Sequence, residues 1–205
     1  MSLSLYRLKP RFQQLLHPCL SALARHGVTP NQVTLAAMTL SLFYGIALAL
    51  LPQTKTLWLG LPVFLLLRMA LNAIDGMLAT ATGNKTALGV LLNEVCDQVA
   101  DAALYLPFAL ATGVSSPLVV LAVMAALLTE FAGVLAHSLG VRRRFDGPMG
   151  KSDRAFAFGL IALLTGAQVD AAWVNGFLVL VLALSVLTIV NRLRRVLSLC
   201  VPAIP

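Results

Sequence analysis

The chain contains six successive apolar runs, each long enough to span a membrane. No other feature of the sequence restricts the possible folds as much. A helix needs about 20 apolar residues to cross the hydrocarbon core, whereas a barrel strand needs only about 10 that alternate. Of the 205 residues, 59% are hydrophobic and 11% are charged, compared with about 25% charged residues in a soluble domain. The chain is therefore predicted to be an all-α membrane protein.

The apolar runs predict six transmembrane helices that follow an N-terminal amphipathic segment. Apolar residues within 1–27 fall near one helical face, which is typical of an interfacial helix; a cytoplasmic cap is the alternative. The predicted spans cover residues 31–51, 57–80, 86–111, 117–139, 152–165 and 172–193. Because every linker is short, residues 1–205 are predicted to form one membrane domain, with the six-helix bundle in 28–200.

The basic residues predict how the bundle is oriented. They lie before the first span, between the second and third, around the loop from the fourth to the fifth, and after the sixth. The opposite loops hold only Lys55, so both termini and the acidic ends of spans two and three are predicted to be cytoplasmic, in the inner membrane. The net charge of +7 is assigned to this topology and to lipid headgroups, not to nucleic acid.

Polar side chains form one stripe on each of two neighbouring spans. Asn72 and Asp75 are three residues apart, and Asn93 and Asp97 are four apart, so each pair shares a helix face. A turn at residues 83–84 would let the two faces meet. Carboxylate and amide oxygens bind hard divalent cations, and Mg²⁺ often shares its shell with substrate phosphates. The stripes predict a site for Mg²⁺ or Mn²⁺.

Two other interpretations of these acids stay open at this point. The first is a polar helix–helix contact in which Arg68 neutralises one aspartate, although several carboxylates would then stay unpaired. The second is an ion-coupled transporter, since acids inside a membrane also form ion relays. The sequence has no obvious inverted repeat that would support a transporter.

The spacing of the stripes resembles that of the CDP-alcohol phosphotransferase family. The family pattern is D-x-x-D-G-x-x-A-R-x(8)-G-x-x-x-D-x-x-x-D, and residues 72–97 read N-x-x-D-G-x-x-A-T-x(8)-G-x-x-x-N-x-x-x-D. The segment TPNQVT before the first span and GKSDR before the fifth match as well. The chain departs from the pattern at three positions, where Asn72 and Asn93 replace aspartates and Thr80 replaces the arginine.

This resemblance implies a homodimeric phosphatidyltransferase that moves a phosphatidyl group from a CDP-lipid, such as CDP-diacylglycerol, to an alcohol and releases CMP. It implies that Asp97 is both general base and metal ligand, and that Asp75 is the firmest ligand. Asn72 and Asn93 would be secondary ligands, and Glu94 could restore a carboxylate. The residues expected beside the nucleotide are Thr34, Gly76, Ala79, Thr80 and Gly89. A family member that binds CDP-lipid without turnover is the alternative.

Basic residues near the fifth and sixth spans predict a phosphorylated acceptor such as glycerol phosphate or inositol phosphate. Family members with such acceptors hold the phosphate at corresponding positions, and arginine suits phosphate contacts. The residues expected in this role are Arg144, Lys151, Arg154 and Arg192. The alternative is that they are basic only because cytoplasmic loops generally are.

Overall fold

The computed structural model describes residues 9–200, with side chains from residue 12 onward, and all regular structure in this range is helical. The helices are α1 (Lys9–Arg25), α2 (Pro30–Leu50), α3 (Lys55–Ala81), α4 (Ala87–Tyr105), α5 (Ser116–Val134), α6 (Lys151–Gly166) and α7 (Ala171–Cys200). Two 3-10 segments, Leu106–Leu110 and Leu135–Leu139, extend α4 and α5. The prediction of an all-α protein is confirmed.

The helix ends follow local sequence signals. Thr29 caps α2, since its hydroxyl accepts from the Gln32 amide while the Gln32 side chain accepts from the Thr29 amide. Pro30 occupies the first helical position, where its missing N–H costs nothing. α4 ends before Pro107, although the third span was predicted to reach residue 111. A proline inside the helix would remove a backbone hydrogen bond and clash with the preceding turn.

Four segments within the described range are long and apolar enough to cross a membrane. They are α2, α3, residues 116–139 and α7. The other two predicted spans correspond to α4, which carries three acidic residues, and α6, which has only 16 residues. Large apolar side chains such as Phe43, Val63 and Phe131 point outward, as expected of a bundle surface that meets lipid.

The motif-bearing end of α3 is positioned by the packing of α1 and α2 against α3, and α4 in turn packs against α2. At the α2–α4 crossing, a Cβ on Gly45 would lie 2.1 Å from the carbonyl oxygen of Ala103, so only glycine fits there. Leu20 of α1 packs against Ile74 and Leu78 on either side of Asp75. Leu15 on another face of α1 is 78% exposed. The interfacial role of this helix stays a prediction, and residues 1–8 of that segment lie outside the described residues.

Candidate active site

Three charged residues from three helices meet at one end of the bundle. Asp75 lies on α3, Asp97 on α4, and Lys151 is the first residue of α6. The ammonium group of Lys151 forms an ion pair with Oδ2 of Asp97. Asp75 lies within electrostatic range of both Asp97 and Lys151. The two aspartates predicted to act together are thus close enough to influence each other.

Asp75 is oriented by a residue of the first long helix. The Thr34 hydroxyl donates a hydrogen bond of 2.8 Å to Oδ2 of Asp75, and both side chains are buried. Thr34 was predicted to lie beside the nucleotide, and the structure places it behind a predicted metal ligand. Such partners fix the direction of a ligating carboxylate.

The other residues predicted to line the nucleotide lie around the turn between α3 and α4. Gly76 is exposed, and nothing lies within 4 Å of the position that a Cβ would take there. Ala79 is half-buried and Thr80 is exposed, with its hydroxyl donating to the Gly76 carbonyl at 2.9 Å. A Cβ on Gly89 would approach Oδ1 of Asn31 to 3.0 Å. Their contact with a nucleotide stays a prediction.

The oxygen donors of the predicted metal site fit a divalent cation by their chemistry. Asp75 and Asp97 supply carboxylates, while Asn72 and Asn93 supply amide oxygens, which are ligands that Mg²⁺ and Mn²⁺ accept. The amide nitrogen of Asn72 is buried with no hydrogen-bond partner; this group is a donor, so only the amide oxygen of Asn72 could bind a cation. Glu94, in contrast, is ion-paired with Arg143. Among residues 12–200, no group of three or more His, Cys, Asp or Glu is arranged to hold a metal.

Deeper in the bundle lies a set of charged residues that we call the buried cluster. Its members are at most 5% exposed and come from α3, α4, α5, α6 and α7: Arg68, Asp101, Glu130, Arg154 and Arg192. Arg68 forms an ion pair with Asp101 and also donates to the main-chain carbonyl of Asp97 at 3.0 Å. The contact considered from the sequence, in which Arg68 neutralises one aspartate, therefore exists for Asp101.

Arg154 joins the two carboxylates of the buried cluster. Its guanidinium lies 3.3 Å from Oδ2 of Asp101 and 3.0 Å from Oε1 of Glu130, and it donates to the Thr129 hydroxyl at 2.7 Å. Arg192 lies 3.6 Å from Oε1 of Glu130 and donates to the main-chain carbonyl of Asp146 at 3.2 Å. Both arginines were predicted to hold a substrate phosphate, yet both are buried and bonded within the protein.

Glu130, on α5, has three basic partners. Besides Arg154 and Arg192, Arg143 donates to it at 2.7 Å. Glu130 is the only charged residue of its apolar run. A charge in such a run usually pairs inside the protein. That rule predicts that Glu130 has a basic partner. It does not predict which arginines are the partners, because they come from distant parts of the chain.

A second polar surface flanks the site. Arg144 makes two hydrogen bonds, of 2.8 and 3.0 Å, to Asp146, and these bonds hold the pKa of Asp146 below its usual range. Next to this pair lies a shallow depression of about 370 Å³, lined by Asp146, Gly147, Asn191, Arg194, Arg195 and Ser198. Arg194 and Arg195 are exposed and were not assigned a role from the sequence.

Comparison with known proteins identifies the family to which this arrangement belongs. The family model described as CDP-alcohol phosphatidyltransferase matches residues 27–191. The chain is 44% identical over 196 residues to the inner membrane protein YnbA of Escherichia coli, covering 95% of this chain and 97% of that protein. It is 29% identical over 190 residues to a phosphatidylinositol phosphate synthase of Mycobacteroides abscessus, covering 90% and 84%.

Solved structures share the fold. The phosphatidylinositol phosphate synthase of Mycobacterium tuberculosis in complex with manganese and citrate superposes with a TM-score of 0.74 at 22% identity, over 88% of each chain. The structure of that enzyme with CDP-DAG bound gives 0.71 at 23% identity, over 89% of this chain and 94% of the other. Together with the match along residues 27–191, this similarity shows that the chain belongs to the CDP-alcohol phosphatidyltransferase family, whose members transfer phosphatidyl groups.

Proposed function

We propose that this chain transfers the phosphatidyl group of CDP-diacylglycerol to a phosphorylated polyol, such as inositol phosphate or glycerol phosphate, and releases CMP. The observation that carries the proposal is the ion pair of Asp97 with Lys151, with Asp75 within electrostatic range of both and both aspartates at motif positions. Relatives that are phosphatidylinositol phosphate synthases, and the related enzyme with CDP-DAG bound, support this choice of donor and acceptor class.

The reaction replaces one phosphorus–oxygen bond by another and requires a residue that accepts a proton. The acceptor hydroxyl oxygen bonds to the phosphatidyl phosphorus, the bond from that phosphorus to the CMP oxygen breaks, and the hydroxyl proton goes to a carboxylate of Asp97. A divalent cation bound by Asp75 and Asp97, with Asn72 and Asn93 as further ligands, would neutralise the diphosphate. Thr34 holds the Asp75 carboxylate in a fixed direction.

The acceptor phosphate is assigned to the open basic surface. Lys151 is 30% exposed, and the depression next to Asp146 carries the exposed guanidinium groups of Arg194 and Arg195. Guanidinium groups recognise phosphates through paired hydrogen bonds. Arg154 and Arg192 would support this surface from within, since both are buried and already paired.

We further infer that α4 and α6 also cross the membrane, which gives six spans with both termini and the site on the cytoplasmic face. The charges of these two helices meet partners inside the bundle: Glu94 pairs with Arg143, Asp97 with Lys151, and Asp101 with Arg68 and Arg154. Pairing of this kind lowers the cost of charge within a bilayer. The homodimer implied by the family resemblance stays a prediction.

The test is an acceptor panel with purified protein, CDP-diacylglycerol and Mg²⁺ or Mn²⁺. Inositol phosphate, glycerol phosphate, inositol, glycerol and serine are compared by CMP release and by mass spectrometry of the lipid product. We expect one phosphorylated polyol to give a new lipid in equal amount to the CMP. Binding of CDP-diacylglycerol without CMP release from any acceptor would indicate a binding protein instead. Transport of an ion across vesicles without lipid product would favour the transporter.

A further inference from the structure

We propose that this site binds a single divalent cation, and that the ammonium group of Lys151 supplies, at Asp97, the positive charge that a second cation would otherwise supply. The inference rests on the proposed function, because it concerns the metal of that same site. It concerns this chain in particular, since it follows from the residues that replace the family aspartates and from their contacts.

The first support is the charge of the donor set. The family pattern places four aspartates on the two stripes, whereas this chain has two aspartates and two asparagines there. Two carboxylates carry at most the charge of one divalent ion, and neutral amide oxygens add ligands without adding charge. The remaining carboxylate of this region, Glu94, is taken by Arg143. A second divalent ion would therefore bind with an excess of positive charge.

The second support is the unequal distribution of cations between the two aspartates. Asp97 carries Lys151 on Oδ2, and a guanidinium nitrogen of Arg68 lies 3.6 Å from its Oδ1. Asp75 accepts from the neutral Thr34 hydroxyl, and no described side chain forms an ion pair with it. Asp75 thus has uncompensated negative charge to offer a metal, while Asp97 is already neutralised by protein groups.

The third support is that Lys151 lies at a helix end whose backbone is held in place by other contacts. The carboxylate of Asp153 accepts from the Gly150 amide at 3.1 Å, which caps α6 directly before Lys151. One turn further, Arg154 anchors the helix to the buried cluster. The backbone that carries the ammonium group is therefore held on both sides of it, so its contact with Asp97 is built into the fold.

The direct test is the number of Mn²⁺ ions that the purified wild-type protein binds in detergent. Titration gives the stoichiometry, and electron paramagnetic resonance separates an isolated Mn²⁺ from a magnetically coupled pair, which forms when two ions lie about 3.5–4 Å apart. We expect one ion per chain and an uncoupled spectrum. Two ions with a coupled spectrum would overturn the inference while leaving the proposed function intact. No bound ion would overturn both the inference and the metal-dependent part of the proposed function.

Variants of the site sharpen the result. Asn72→Asp together with Asn93→Asp restores the charge of the family pattern, and Lys151→Gln added to these two removes the resident cation. We expect the triple variant to bind two ions as a coupled pair, and the double variant to bind the second ion at least tenfold more weakly. Equal affinity for the second ion in the two variants would show that Lys151 does not occupy its place. Lys85→Gln, at an exposed turn residue, is the matched control added to the double variant.

Discussion

Two regions of this bundle both bring acidic and basic side chains together, and they differ in how these charges are satisfied. In the buried cluster, Asp101 faces two arginines and Glu130 faces three, all hidden from solvent apart from Arg143. At the end of the bundle that carries Asp75 and Asp97, which we call the motif end, Thr34 is the only residue in the described part of the chain whose side chain hydrogen-bonds to Asp75, and the Asp97–Lys151 pair is partly open. An acid inside a membrane protein is therefore not by itself a reactive group, because its partners decide whether it can act on a substrate.

Substitutions in the two regions should therefore have different effects on the protein. Breaking a buried ion pair leaves a desolvated charge without a partner, which destabilises the fold. Changing a partly open ligand removes an interaction with metal or substrate and leaves the packing in place. Four substitutions test this division, and they are given in decreasing order of expected effect.

Asp97→Asn should lower CMP release by about 10²–10⁴-fold, the usual contribution of a general base. The substitution keeps the size of the side chain, so the protein should elute from size-exclusion chromatography as the wild type does. Asp170→Asn, at the start of α7 and the opposite end of the bundle, is the matched control and should keep full activity. A fully active Asp97→Asn protein would remove the assigned base.

Arg154→Met should destabilise the protein by about 3–5 kcal/mol, because Asp101 and Glu130 would each lose a buried partner. Thermal unfolding in detergent measures the effect, and Arg142→Gln, in the exposed loop, should unfold like the wild type. If Arg154→Met is as stable as the wild type and only the KM for the acceptor rises, then Arg154 holds the substrate phosphate and belongs with the motif end.

Arg195→Gln should raise the KM for a phosphorylated acceptor by about 10–100-fold, which corresponds to a hydrogen bond to a charged group of about 1.5–3 kcal/mol. The KM for CDP-diacylglycerol and the unfolding temperature should change little, since the side chain is exposed. Steady-state kinetics with each substrate varied in turn provides the measurement. A parallel rise in both KM values would place Arg195 outside a specific phosphate site.

Thr34→Val should weaken Mn²⁺ binding by about tenfold, the lower end for loss of a residue that orients a metal ligand. The hydroxyl is replaced by a methyl group of similar size, so the α2 packing should persist. Thr39→Val, at an exposed position of the same helix, is the control. Unchanged Mn²⁺ affinity in Thr34→Val would show that the hydrogen bond to Asp75 does not position this carboxylate.

The helices were largely predictable from the sequence, since apolar runs and caps are local signals. The run from 31 to 51 corresponds to α2, and Thr29, Pro30 and Gln32 specify where it begins. The end of α4 was predicted too late, because hydropathy continues through Pro107, where the α-helix gives way to a 3-10 segment. α7 continues to Cys200, beyond the span predicted to end at 193, since a helix can extend into the basic segment that leaves the membrane.

The site residues were predictable from the sequence only where their spacing along one helix shows that they share a face. The i, i+3 and i, i+4 spacings of residues 72, 75, 93 and 97 placed these side chains on two stripes, and a resemblance supplied their roles. The pairing of Lys151 with Asp97, and of Glu130 with three arginines, depends on how α4, α5 and α6 approach one another. Long, flexible cations can reach many acids, so their partners are decided by tertiary packing and not by the sequence pattern.

The most direct test of the account is CMP release from CDP-diacylglycerol by the purified wild-type protein, with the divalent cation first removed by a chelator and then restored. Release should require both the cation and a phosphorylated acceptor, and Asp75→Asn should abolish it without loss of the folded protein. Release that continues without the cation, or that survives Asp75→Asn at the wild-type rate, would contradict the assignment of the reaction to Asp75 and Asp97.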